Sequence, residues 1–241
     1  MPTLDREGFP MLELKNVSAY YGNSHTLQGV SMRVETGDFV SVLGRNGVGK
    51  TTLMRAIMGL MDRSTGSITL DDQEINNKRT DQRAIAGIGY VPQGRGILPN
   101  FTVRENLKLG TFANGDGKAD INEWIFELFP ILKDFLDRQG GNLSGGQQQQ
   151  LAIGRALLTD PKIILLDEPT EGIQPNIVEQ IEEVLIDLNK KHGMTVVLVE
   201  QNVGFARRAS QHFVVLDRGS VAANGSVDEL TEELVQQHMA V

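Results

Sequence analysis

The sequence predicts an α/β protein in which a mostly parallel β-sheet is covered by helices on both faces and a helical segment is inserted into it. Three observations carry this. A continuous apolar run at residues 163–166 is bounded by turn and polar residues, and 195–199 reads as a second buried strand, as expected of strands buried on both faces. They alternate with segments of helical periodicity, of which Ile177, Ile181, Val184, Leu185 and Leu188 form the clearest. From about residue 94 to 154 that alternation stops and helix-opening signals replace it.

Residues 1–10 read as a polar N-terminal extension, and the folded pattern begins at Met11 with Leu12, Leu14 and Val17 as a first strand. Apolar segments at 31–34 and 39–43 come next, the second running into a glycine-rich turn and then a helix over 50–60 closed by Gly59. Residues 67–70 and 89–91 add short strands. Thr102-Val103-Arg104-Glu105 and Asp120-Ile121-Asn122-Glu123 have capping-box spacing, so each opens a helix, with a glycine-rich hinge at 114–117 between them. Trp124, Ile125, Leu128 and Phe129 then share one helical face. Strands at 163–166, 195–199 and 213–216 and the helix over 177–188 complete the alternation, and Ser226-Val227-Asp228-Glu229 opens a short C-terminal helix. No internal repeat is visible, so the helical middle is an insertion and not a separate domain.

Composition bounds the function. The 241 residues correspond to roughly 1.6 average domains. Apolar residues make up 40% and charged residues 22%, which excludes a disordered or low-complexity chain. With no cysteine there is no disulfide framework, cysteine nucleophile or thiolate metal site. The 23 basic against 31 acidic residues give a net charge of −8, which disfavours nucleic acid as a partner. No apolar run approaches the roughly 20 residues that span a bilayer, and residues 1–10 lack a signal-peptide pattern. A soluble, intracellular chain is expected.

Gly44-Arg45-Asn46-Gly47-Val48-Gly49-Lys50-Thr51 satisfies G-x-x-x-x-G-K-[ST] and lies between a predicted strand and a predicted helix. Glycines let successive N–H groups turn inward onto phosphate oxygens, and the helix after them presents its positive end. Lys50 reaches the terminal phosphates, Thr51 ligates Mg²⁺, and Thr52 continues the loop. The run 163–166 ends in Asp167-Glu168, adjacent carboxylates at a buried strand end, which are costly unless a cation uses them. Asp167 suits Mg²⁺, and Glu168 suits an attacking water. Ser144-Gly145-Gly146-Gln147 reads as a capping box with glycines in the first helical turn. Each glycine costs about 1 kcal/mol there, which asks for a reason such as close approach to an anion. A single nucleotide does not need both sites in one compact chain. Two chains arranged head to tail, each closing the other's nucleotide, are the economical arrangement.

The phosphate loop, residues 143–147 and Leu165-Leu166-Asp167-Glu168-Pro169, in this order and spacing, resemble the ATP-binding subunit of an ABC transporter over residues 11–225. The resemblance implies an ATPase using ATP and Mg²⁺. Its P-loop NTPase core would span about 11–93 and 155–241, with an antiparallel β edge region and a helical subdomain at about 94–154. It matches Tyr21 to an adenine-stacking aromatic and Gln93 to the glutamine that senses Mg²⁺ and the attacking water. Partners implied are membrane permease subunits, a second ATPase subunit (identical or paralogous) and, indirectly, a periplasmic solute-binding protein. The implied place is the cytoplasmic face of a bacterial inner membrane.

Two positions depart from the family. Gln201 stands where a histidine usually meets the terminal phosphate, and glutamine donates a hydrogen bond there but carries no proton at neutral pH. Gln174 stands where an aspartate is usual. Val199-Glu200-Gln201-Asn202 and Pro92-Gln93-Gly94-Arg95 resemble the branched-chain amino acid transporter ATPases. Residues 143–151, with their four glutamines, and 167–175 look most like the urea-transporter branch. Ile97, Leu98, Pro99 and Phe101 are the apolar groups expected to line a groove for a cytoplasmic helix of the permease. A GTP-dependent switch would need an Asn-Lys-x-Asp reader, and Asn189-Lys190-Lys191-His192 lacks the aspartate. A small-molecule kinase has no use for residues 143–147, and a soluble ABC ATPase working on DNA or ribosomes would carry a long coiled-coil insertion or a second ATPase half.

Overall fold

A computed structural model describes residues 11–114 and 120–239. The hinge expected at 114–117 lies largely outside them. The chain opens with β1 (Leu12–Tyr21), β2 (Ser24–Val34) and β3 (Phe39–Leu43), then α1 (Lys50–Ile57), β4 (Arg63–Leu70), β5 (Gln73–Glu74), α2 (Thr80–Ile85) and β6 (Ile88–Val91). The middle holds α3 (Val103–Thr111), α4 (Trp124–Leu128), α5 (Pro130–Asp134) and α6 (Gly145–Leu157). The last third is β7 (Ile163–Asp167), α7 (Pro175–Lys190), β8 (Thr195–Glu200), α8 (Val203–Ala209), β9 (His212–Asp217), β10 (Ser220–Ser226) and α9 (Glu232–Met239).

Two sheets result. The larger has the order β10-β9-β3-β8-β7-β6, parallel throughout except for the β10 edge, and the smaller, β2-β1-β4-β5, is antiparallel. The parallel strands face both ways. Ile163, Leu165, Val197 and Val199 join one core with α1 and the antiparallel sheet, while Ile164, Leu166, Val196 and Leu198 join the other with α6 and α7. Period-two alternation thus fills two cores at once, which is why these strands are apolar without interruption.

Local chemistry explains where elements stop. Helix α1 ends three residues earlier than expected, in a Schellman turn: Gly59, at φ 71°, donates to Ala56 O, and Leu60 N donates to Arg55 O. The single helix expected from Trp124 through Phe129 is instead α4 and α5. Phe129 sits at φ −132°, ψ 74°, because the ring of Pro130 disfavours helical backbone at the residue before it. Ile125, Phe126 and Phe129 are the residues that become buried. The capping box expected at Asp120–Glu123 does not form: Glu123 already has helical dihedrals, and Asn122 Oδ1 takes the N–H of Trp124 instead. At Thr102 and Glu105 the box forms in both directions. At Ser226 it forms too, but opens a single 3-10 turn, with α9 starting later at Glu232.

The segment joining β6 to α3 is organised by Asn106, which is fully buried. Its Nδ2 donates to Leu98 O, Phe101 O and Thr102 O at 3.0–3.2 Å, and its Oδ1 accepts from Leu98 N at 2.9 Å. This holds Leu98 and Phe101 half-exposed on a fixed turn.

Candidate functional site

Open α/β sheets bind ligands beyond the carboxyl ends of their parallel strands, and the candidate groups gather there. Leu43 pairs with Glu200, Asp167 with Val199, and Val91 with Leu166. The phosphate loop, Asp167-Glu168, Gln201 and Gln93 therefore leave the sheet within a rung or two of one another.

Gly44, Gly47 and Gly49 adopt φ 152°, 79° and 111°, which curls the loop. At Gly44 a Cβ would lie 2.5 Å from Leu216 O, so no larger residue fits. Gly49 caps α1 with no side-chain hydrogen bond, and the first turn has no acid, which leaves that helix end suited to an anion. Asn46, Gly47, Lys50, Thr51 and Thr52 line a cavity of about 240 Å³ together with Gln93 and Glu168. Val48 faces away and packs on the core, and Arg45 is exposed.

The buried Lys50 donates from Nζ to Gly44 O and Arg45 O, each at 2.9 Å, and lies 3.1 Å from Glu168 Oε1. Gln201 Nε2 reaches the same oxygen at 3.1 Å and Asn46 Oδ1 at 2.8 Å. Gln93 Nε2 donates to Glu168 Oε2 at 3.2 Å and to Glu171 Oε2 at 2.9 Å. Both glutamines therefore converge on one carboxylate. Glu168 itself sits at φ 48°, a left-handed conformation uncommon outside glycine, and its N–H bonds Val199 O at 3.0 Å.

Asp167 is fully buried. Thr51 Oγ1 donates to its Oδ1 at 3.1 Å, and its Oδ2 has no hydrogen-bond partner. Burial pushes its pKa up to about 6, against the opposing Thr51 hydrogen bond and with repulsion from Glu168. A buried carboxylate with a bare oxygen fits Mg²⁺, which takes one or two protein oxygens beside phosphate and water. Among the described residues no cluster of His, Cys, Asp and Glu holds a metal by itself, so the cation would be shared with phosphate.

Other expected residues lie elsewhere. Tyr21, at the end of β1, is 40% exposed and does not line the cavity; the Arg55 guanidinium stands 5.7 Å from its ring centre. Ser144 and Gln147 form their capping box on α6, with Ser144 N donating to Gln147 Oε1 at 3.0 Å. Neither they nor Gly145 and Gly146 line the cavity. Packing also constrains Gly146: a Cβ there would come 2.5 Å from Ile177 Cγ2 on α7. At Gly145 a Cβ would meet the Arg95 guanidinium at 3.0 Å. Of the four glutamines at 147–150, Gln149 and Gln150 are buried. Gln174 precedes α7 without capping it.

Three residues escaped the sequence reading. Thr26, on β2, lines the cavity from the antiparallel sheet, Glu171 binds Gln93, and Glu200 is buried at the end of β8. Nothing local marks Thr26, but an acid closing the apolar run 195–199 was a signal for Glu200. The apolar groove also differs from expectation. A groove of about 320 Å³ is lined by Met58, Ala84, Ile88, Tyr90, Leu109 and Ala156, with none of Ile97, Leu98, Pro99 or Phe101 among its walls. Ile97 packs into the core instead. Ile85 and Phe112, beside the groove in sequence, are 66% and 57% exposed.

Comparison with known proteins agrees with this geometry. The sequence pattern of the ABC transporter family matches residues 27–171. The high-affinity branched-chain amino acid transport ATP-binding protein BraG of Pseudomonas aeruginosa is 39% identical over 212 residues, covering 88% of this chain and 91% of its own. The probable branched-chain amino acid transport ATP-binding protein LivF of Archaeoglobus fulgidus is 35% identical over 223 residues, covering 92% and 94%. Among solved structures, a dimeric ATP-binding cassette in a post-hydrolysis state bound to ADP and Pi superposes with TM-score 0.79 at 30% identity, covering 90% of this chain and 99% of that one. With its phosphate loop, paired strand-end carboxylates and cassette fold, this chain belongs to the ABC transporter family as one of its ATP-binding, ATP-hydrolysing subunits.

Proposed function

We propose that the chain powers a bacterial importer from the cytoplasmic face of the membrane, as a peripheral subunit beneath permease subunits that a periplasmic solute-binding protein supplies. No helix among the described residues is long and apolar enough to cross a membrane. Residues 11–93 and 155–241 act as the nucleotide-binding core and 94–154 as the helical subdomain. The observation that carries the chemistry is Glu168, whose two oxygens meet Lys50, Gln93 and Gln201. The phosphate loop and Lys50 bind the phosphates of ATP, Thr51 and Asp167 hold Mg²⁺, and the bound cation offsets phosphate charge. Glu168 takes the proton of the attacking water, with Gln93 and Gln201 orienting it. Tyr21, exposed at the end of β1, stacks on adenine.

Ser144, Gly145, Gly146 and Gln147 stand outside the cavity, which supports a head-to-tail pair with a second ATPase subunit, identical or paralogous, each lending that helix end to the other's nucleotide. The apolar groove supports docking of a cytoplasmic permease helix. Ile85→Glu or Phe112→Glu should then cut transport at least tenfold while basal ATPase activity of the isolated chain stays within about twofold. Loss of basal activity in both variants would refute the docking role.

Two solutes have specific support. Residues 143–151 and 167–175 favour urea or a short-chain amide. BraG and LivF, named for branched-chain amino acid transport, favour those amino acids. Deleting the gene and measuring uptake of labelled urea and labelled leucine at micromolar supply decides between them. Loss of leucine uptake alone overturns the urea reading and leaves the ATPase standing.

A further inference from the structure

Glu200 is the last residue of β8, is buried, and takes no part in the proposed chemistry of ATP hydrolysis. Its Oε1 accepts from Thr170 Oγ1 at 2.5 Å, and its Oε2 accepts the backbone N–H of Gln201 at 3.0 Å and of Asn202 at 3.5 Å. Every other residue of β8 but Thr195 is aliphatic, and a buried carboxylate met by neutral donors is an expensive way to end a strand. An aliphatic residue would serve the fold as well. What it would not do is tie the turn after β8 to the turn after β7 beside the phosphate loop. Thr170 lies two residues beyond Glu168 on the turn after β7, Gln201 begins the turn after β8, and the ladder partner of Glu200 is Leu43, at the foot of the phosphate loop.

We infer that Glu200 is a positioning residue of the ATPase site: its carboxylate fixes the turn after β8 against the turn after β7, and so holds the Gln201 amide between Asn46 and Glu168. The inference rests on the proposed roles of Glu168 and Gln201. Because Glu200 does not line the cavity, it acts on the alignment of the reacting groups and not on nucleotide capture. Glutamine in its place keeps an oxygen for the two N–H groups and turns its amide toward Thr170, whose hydroxyl can rotate to accept.

The test is steady-state ATP hydrolysis by Glu200→Ala, Glu200→Gln and Thr170→Val, with Glu168→Gln alongside and a thermal melt of each. Misalignment by a fraction of an ångström should lower kcat of Glu200→Ala on the order of tenfold to a hundredfold while KM for ATP moves by less than about twofold. Glu200→Gln should recover kcat to within about threefold of the parent, and Thr170→Val should fall between the two. If Glu200→Ala does not fold, the Thr170→Val and Glu200→Gln pair carries the same test. Parental kcat in Glu200→Ala or, failing that, in Thr170→Val overturns the inference, provided Glu168→Gln is inactive. Full turnover by Glu168→Gln instead refutes the assignment of the base, whatever Glu200 does.

Discussion

Replacing Glu168 by glutamine should separate ATP binding from hydrolysis. Lys50 faces Glu168 Oε1 at 3.1 Å, so a phosphate that approaches Lys50 also approaches a buried carboxylate. At an effective dielectric near 20, unit charges at this separation attract by about 5 kcal/mol before desolvation is counted, and the same carboxylate repels an incoming phosphate. Glutamine keeps an oxygen for Lys50 and Gln201, while Gln93 must turn its amide to present an acceptor. Desolvation offsets most of the attraction in such a pair, so stability should change by no more than about 1–2 kcal/mol. Removing the repulsion should tighten Mg²⁺–ATP binding by about 1–2 kcal/mol, roughly five- to thirtyfold in Kd. Loss of the base should slow hydrolysis on the order of 10²- to 10⁴-fold. Equilibrium titration with a fluorescent ATP analogue and phosphate release at saturating ATP measure the two effects. Weaker binding, or turnover at the parental rate, would refute the reasoning.

Lys50→Ala removes a charged donor to phosphate worth about 1.5–3 kcal/mol, so ATP affinity by calorimetry should fall roughly ten- to 150-fold. Asp167 holds its proton more tightly folded, with a pKa of about 6, than unfolded, at its ordinary 3.8. Its contribution to stability is therefore greatest below pH 4 and is lost as pH rises to 6, by about 3 kcal/mol, a slope that Asp167→Asn should abolish in urea unfolding series across that window. Mg²⁺–ATP affinity should run the other way and weaken below about pH 6, where the carboxylate that suits the cation is protonated. Gly146→Ala drives a Cβ to 2.5 Å from Ile177 Cγ2. Overpacking of about 1–3 kcal/mol against about 1 kcal/mol of regained helix propensity predicts a net loss of up to about 2 kcal/mol, read as a lowered Tm.

Much of the fold was legible because its signals are local. The apolar runs of β3, β7 and β8, the glycines at 44–49 and the capping box at Thr102 each encode their own geometry within a few residues. The break at Phe129 was also available, in Pro130, but the apolar spacing of Trp124, Ile125 and Leu128 suggested a continuous helix. Helix α8, of only seven residues, was hidden by its brevity, although Asn202 caps it by accepting from Phe205 N at 3.1 Å. The site divides in the same way. Asp167, Glu168, Lys50 and Thr51 stand in contiguous strings, whereas Thr26, Glu171 and Asn106 matter through partners that only tertiary folding brings near. Gly146 carries a constraint that no local signal shows, because the side chain that excludes a Cβ there, Ile177, lies on a neighbouring helix.

The ladder between β3, β8 and β7 acts as a ruler for the reacting groups. Leu43 against Glu200 and Asp167 against Val199 set how far each loop tip stands above the sheet. One residue deleted from β8 would shift the downstream turn by about 3.3 Å and send successive side chains to the opposite face. Gln201 would then part from Glu168 and Asn46 while the strand still paired. The stretch between β6 and β7 is under no such restraint, because Val91 and Leu166 are partners on one rung however much chain runs between them. Length is thus free to vary in the helical region and is fixed to the residue in the strands, so the strand ladder sets the frame within which side chains such as Glu200 do the finer positioning.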